Sequence, residues 1–124
     1  MNKPDSATIR VYHNIDAAFL GYRPEQRVTP VFETEESAAE HEELCARMYE
    51  LLNIGDDPSF GPPDPRAVEY RARRNRSLSV GDVIEIGRTG GDVADFYSVA
   101  SCGFEPIATP RIVTLGSRGT TPLI

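Results

Sequence analysis

Apolar and polar positions alternate first over Ala7-Thr8-Ile9-Arg10-Val11-Tyr12-His13, which sets Ile9, Val11 and His13 on one face and Thr8, Arg10 and Tyr12 on the other. A period of two predicts a first strand over residues 7–13. Asn14-Ile15-Asp16 then turns the chain. Pattern alone does not separate helix from strand over residues 17–22. Residues 27–33, Arg-Val-Thr-Pro-Val-Phe-Glu, read as a second strand, with Pro30 pushing it toward an edge or a bulge because proline cannot donate to a ladder. Ala38, His41, Leu44, Cys45, Met48, Leu51 and Leu52 recur at three- and four-residue spacing and predict an amphipathic helix over residues 35–53. Thr34 is its expected N-cap, Glu35 and Glu36 favour the positive end of its dipole, and Gly55 is expected to close it in a left-handed conformation.

The stretch Asp56-Asp57-Pro58-Ser59-Phe60-Gly61-Pro62-Pro63-Asp64-Pro65 is a loop, with Phe60 expected to pin it by burial. Asp64-Pro65 reads as a cap and first residue of a short helix running to about Arg74, with Val68 and Ala72 inward. Val83-Ile84-Glu85-Ile86, the glycine-rich reversal Gly87–Asp92 and Phe96-Tyr97-Ser98-Val99-Ala100 form a β-hairpin with a loop longer than two residues. Residues 103–107 end its second strand with an aromatic plug, Phe104. Arg111–Leu115 can form one more strand, and residues 116–124 are expected to be loose. These elements define an α+β fold: a small, mainly antiparallel sheet, one amphipathic helix packed on it and a short second helix. The 124 residues suit one domain. Its expected core is Leu44, Met48, Leu52, Ile84, Ile86, Val99 and Phe104.

Composition narrows the function classes. Hydrophobic residues make up 40% and charged residues 26%, ordinary for a globular protein. No apolar run approaches the ~20 residues that span a bilayer, and the first residues lack a signal-like apolar stretch, so a cytoplasmic location without a membrane partner is expected. Net charge is −6. Residues 1–64 hold 5 basic and 13 acidic side chains, and residues 65–124 hold 8 and 6. An acidic total disfavours bulk nucleic-acid binding, while a local basic patch remains available. That patch is Arg66, Arg71, Arg73, Arg74 and Arg76, and Arg71, Arg73, Arg74 and Arg76 are the candidate binding residues for an anionic ligand or a protein partner. The competing reading is a solvated helix face that neutralises the acidic helix.

Catalytic signals are thin. No serine sits in a Gly-x-Ser-x-Gly elbow, and the pairs Asp56-Asp57 and Glu42-Glu43 carry no acid–base signature. Cys102 with His13, or Cys45 with His41, could form a dyad, but helical packing demands the His41/Cys45 spacing anyway. The same cysteines and histidines lack the paired spacing of a zinc site. No metal and no cofactor are expected.

The segment Ser77-Leu78-Ser79-Val80-Gly81-Asp82-Val83-Ile84, followed by Phe96-Tyr97-Ser98-Val99 and Gly103-Phe104, resembles the YodL-like domain over residues 75–107. That resemblance implies a small module carried by plasmids and other mobile elements, with no catalytic residues to transfer. Val-Gly-Asp-Val is also similar to a strand-leading phrase of ASCH and PUA-like barrels, which implies RNA or modified-nucleotide binding. Physically the phrase is a turn, with Ser77 or Ser79 capping local backbone and Asp82 bonding backbone amides. The expected function is therefore a non-enzymatic accessory or interaction module of a mobile element. An RNA-binding module using the arginines is the first alternative, and a small Cys/His-dependent enzyme the second.

Overall fold

Among the described residues six strands form one sheet in the order β5-β4-β3-β1-β2-β6. They are β1 (Ser6–Asn14), β2 (Arg27–Ser37), β3 (Val83–Arg88), β4 (Ala94–Val99), β5 (Phe104–Ile107) and β6 (Arg111–Ile112), with helices α1 (His41–Ile54) and α2 (Pro65–Ala72) between β2 and β3. The computed structural model describes residues 6–16, 20–88 and 93–114. The ambiguous residues 17–19, the tip of the reversal at 89–92 and the C-terminal residues 115–124 lie outside them, so the loose-tail expectation and Leu115 of the last strand do too. The fold is α+β. All pairings are antiparallel except β2 with β6.

The sheet curls. Ile107 ends β5 at one edge and Arg111 begins β6 at the other. Four Cα–Cα steps reach at most about 15 Å, whereas five interstrand spacings of a flat sheet span about 24 Å. Only a sheet rolled toward closure lets so short a connection join its two edges.

Its two faces carry separate apolar clusters. Ala7, Ile9 and Val11 of β1, Ile84 and Ile86 of β3 and Val99 of β4 share one cluster with Leu44, Cys45, Met48, Leu51 and Leu52 of α1 and Ala67 and Tyr70 of α2. Strand alternation puts the β1 and β3 members on a single face. Tyr12, Val28, Val83 and Phe96 form the second cluster. Six of the seven expected core residues are buried, while Phe104 is only partly buried, its ring edge-on to Tyr49 at 6.3 Å.

Four local expectations are corrected. Residues 34–37 continue β2, with Thr34 opposite Ile9 and Glu36 opposite Ala7, so α1 starts at His41 and Thr34 is not its cap. Gly55 is right-handed, with φ −64°. Its value is close approach, because a Cβ there would lie 2.9 Å from Ala67 Cβ where α1 ends beside α2. In α2 the inward residues are Ala67 and Tyr70, while Val68 and Ala72 are exposed. Phe60 is 66% exposed rather than buried. Among the described residues no helix is long and apolar enough to cross a membrane.

Candidate functional site

The five clustered arginines diverge once folded. α2 ends at Ala72, and Arg74 turns the chain with φ 68°. Arg66 Nη1 reaches back to Thr34 Oγ1 at 3.1 Å and Glu36 at 2.7 Å, and its Nη2 to Asp64 at 2.9 Å. Arg71 donates to the carbonyl oxygens of Leu52 and Asn53, at 3.2 and 3.3 Å, and to Ser77 Oγ at 2.8 Å. Arg76 points inward to Asp82. Arg73 and Arg74 remain exposed, and Arg73 pairs at 3.0 Å with an equally exposed Glu69, a contact worth at most about 1 kcal/mol. The structure therefore holds Arg71 and Arg76 within the fold and leaves Arg73 and Arg74 outside.

The Ser-x-Ser-Val-Gly-Asp phrase is a junction. Asp82 is fully buried. Its Oδ1 accepts from Asn14 N at 2.8 Å and Arg76 Nη2 at 2.8 Å, and its Oδ2 from Ser79 N at 2.8 Å and Arg76 Nη1 at 2.7 Å. Asn14 Nδ2 donates in turn to Gln26 Oε1 and to the Gly81 carbonyl. One carboxylate thus joins the end of β1 to the approach to β3. Asp82 bonds backbone amides as expected, but the Ser77 and Ser79 hydroxyls accept from Arg71 and Arg76 rather than capping backbone.

Among the described residues no hydrogen bond joins a cysteine to a histidine. His13 is buried with Nε2 2.7 Å from the Tyr70 hydroxyl, which donates to the Arg76 carbonyl at 2.6 Å. The His13 Nε2–H is therefore the donor to Tyr70. Cys102 lies exposed in the turn between β4 and β5. Cys45 is buried, and burial pushes its thiol up to about 12, so it stays protonated near neutral pH. His41 is half-buried and its Nδ1 lies 2.7 Å from the Tyr97 hydroxyl.

Burial lowers His13 to about 4, aided by a smaller downward pull from Arg76 and opposed by a smaller upward one from Asp82. The unfolded chain then binds the extra proton between about pH 6.5 and 4. Stability is present above the unfolded value and is lost as pH falls through this window, by on the order of 3 kcal/mol in full. Urea titrations across pH 4–7 check this. A His13→Gln variant should show a shallower pH slope than the parent, and equal slopes would contradict it.

Among the described residues, most of the outer edge of β2 is left without a strand partner. That strand has 11 residues, and β6 pairs with only Arg27 and Val28. Among the described residues the backbone of residues 29–37 pairs with β1 alone. The Arg27 carbonyl faces β1, accepting from Ile15 N, and the Val28 carbonyl faces β6, accepting from Val113 N. Alternation turns Thr29 inward and Pro30 outward, where its missing N–H breaks no ladder bond. Register then shifts, Val11 opposing Phe32 and Tyr12 opposing Pro30, so Val31 is the extra residue of a bulge. Edge and bulge, the alternatives that Pro30 suggested, both occur.

Hollows follow this edge one after another. The first, of about 630 Å³, is lined by Tyr12, Val31, Glu33, Arg73, Asn75 and Ile112 among others. A second, about 220 Å³, shares Val31, Phe32, Glu33 and Arg73 with it and reaches Arg66. A third, about 280 Å³, shares Arg66 and continues past Glu36 to Phe60. The shared linings make one track flanked by α2. Beside it, Arg10 bridges Glu33 at 3.0 Å and Glu85 at 3.2 Å, and Tyr12 donates to Glu85. Of the sequence candidates only Arg73 lies on this track. Val31 and Phe60 were missed, and Pro30 was the signal pointing there.

No protein-family model, no curated protein and no solved structure matches the chain.

Proposed function

We propose that this chain is a non-catalytic interaction module that docks an extended peptide segment of a partner protein along the open edge of β2. The observation that carries this reading is the track of hollows beside nine edge residues that, among the described residues, no strand covers on their outer side. An open edge offers main-chain donors and acceptors, and adjoining hollows take alternate side chains of an added strand. A second copy of the chain fits poorly. Antiparallel self-pairing about Thr34 would set Glu33 directly against Glu35, and like charges opposite one another destabilise a sheet. The likeness of residues 75–107 to the YodL-like domain supports placing the module on a mobile element. The anionic-ligand role of the arginines narrows in this reading to Arg73 and Arg74, with Arg73 facing an acidic residue of the peptide.

The test is panning of a displayed random peptide library against the whole chain. Enriched peptides should bind the isolated protein and weaken with Arg73→Glu, and RNA should not compete. Failure to enrich any peptide, or enrichment indifferent to Arg73→Glu, would count against edge docking. Tight RNA binding that falls steeply with salt and is lost in an Arg73→Ala/Arg74→Ala variant would favour the nucleic-acid alternative instead.

A further inference from the structure

Phe60 stands 66% exposed on a short, braced loop. Asp57 Oδ1 accepts from Ser59 N at 2.9 Å, and Asp64 N donates to the Gly55 carbonyl at 2.8 Å, tying the loop ends together. Pro58, Pro62 and Pro63 restrict the backbone between them. Such a loop holds an aromatic ring in solvent at little further ordering cost on binding.

The ring overlooks the third hollow of the β2 track. Met48, Leu51 and Ile54 of α1 supply its apolar lining, and Glu50 and Asp57 also face it. Its other charges are matched: Glu36 lies between Arg47 at 3.2 Å and Arg66 at 2.7 Å, and Asp64 pairs with Arg66. Glu50 and Asp57 have no cationic partner among the described residues. One apolar wall in an otherwise charged hollow, an exposed ring and two carboxylates without a cationic partner among the described residues complement a cation on an apolar stem.

We infer that this hollow receives a lysine or arginine side chain of the docked peptide. The stem lies against Leu51 and Ile54, and the head group reaches the Phe60 face and the two carboxylates. The inference rests on the peptide-docking reading and adds its specificity: an acidic residue near Arg73 and a basic one near Phe60 set the direction in which the peptide lies.

The experiment uses the full chain and two small probes, Nα-acetyl-arginine amide and the uncharged Nα-acetyl-norleucine amide, followed by amide chemical shifts. The arginine derivative should shift residues 50–61 and the norleucine derivative should not. Phe60→Ala should weaken the arginine probe ~2- to 5-fold. Glu50→Gln with Asp57→Asn, which removes charge while keeping an amide oxygen to cap Ser59, should abolish the difference between probes. Thermal unfolding of each variant checks that the fold is retained. Equal shifts by both probes, or an unchanged arginine affinity in the folded variants, would overturn the cation pocket. Edge docking is read separately, from peptide contacts at residues 31–36, so either reading can fail while the other stands.

Discussion

Replacing Asp82 with alanine is expected to destabilise the fold by about 3 kcal/mol or more. The carboxylate is fully buried and holds both terminal nitrogens of Arg76 and the backbone amides of Asn14 and Ser79. Removing it takes an acceptor from two backbone N–H groups and the Asp82 charge from the guanidinium, whose side chain is 33% exposed. Asp82→Asn keeps the shape and one accepting oxygen, so its loss should be smaller. Urea unfolding reads both variants. A loss below about 1 kcal/mol for Asp82→Ala would show that the junction does not hold β1 to β3, since one neutral hydrogen bond alone is worth that much.

Met48→Ala should cost ~2–5 kcal/mol. Met48 is 1% exposed, in the cluster that α1 shares with β1, β3 and β4. Truncation removes apolar contact and leaves a cavity that the rest of the cluster can refill only in part. Ile84→Val, which removes one methylene from the same cluster, should cost ~0.5–1.5 kcal/mol. A change below about 0.5 kcal/mol for Met48→Ala, the scale of ordinary surface substitutions, would contradict its place in the core.

Much of the fold was legible because its signals are local. Alternation in residues 7–13 and the two runs of the hairpin mark β1, β3 and β4, and the three- and four-residue spacing of Leu44, Met48, Leu51 and Leu52 marks α1. What misled was set by partners distant in sequence. Thr34-Glu35-Glu36 has the chemistry of a helix start, yet β1 lies alongside and pairs those residues as strand. In α2 the close approach of Gly55 to Ala67 chose the inward face, a contact no spacing within residues 65–74 announces. The arginines look like one patch because they are neighbours in sequence. Folded, Arg66 in the first turn of α2 meets Glu36 and Arg71 in its last turn meets Ser77, while the helix end at Ala72 and a left-handed Arg74 carry Arg76 away to Asp82. Of the proposed site, Pro30 hinted at an open edge. The hollows beside it arise where β2, α2 and the 57–64 loop meet, and no single segment encodes that meeting.

The most direct test of edge docking is amide hydrogen exchange across residues 29–37, with and without a peptide selected by panning. Saturating peptide should slow exchange at alternate amides between Val31 and Glu36, as an added strand does when it bonds every second residue of its neighbour. Unchanged rates along this edge in the saturated complex, or protection appearing at Phe104–Ile107 on the opposite edge instead, would contradict it.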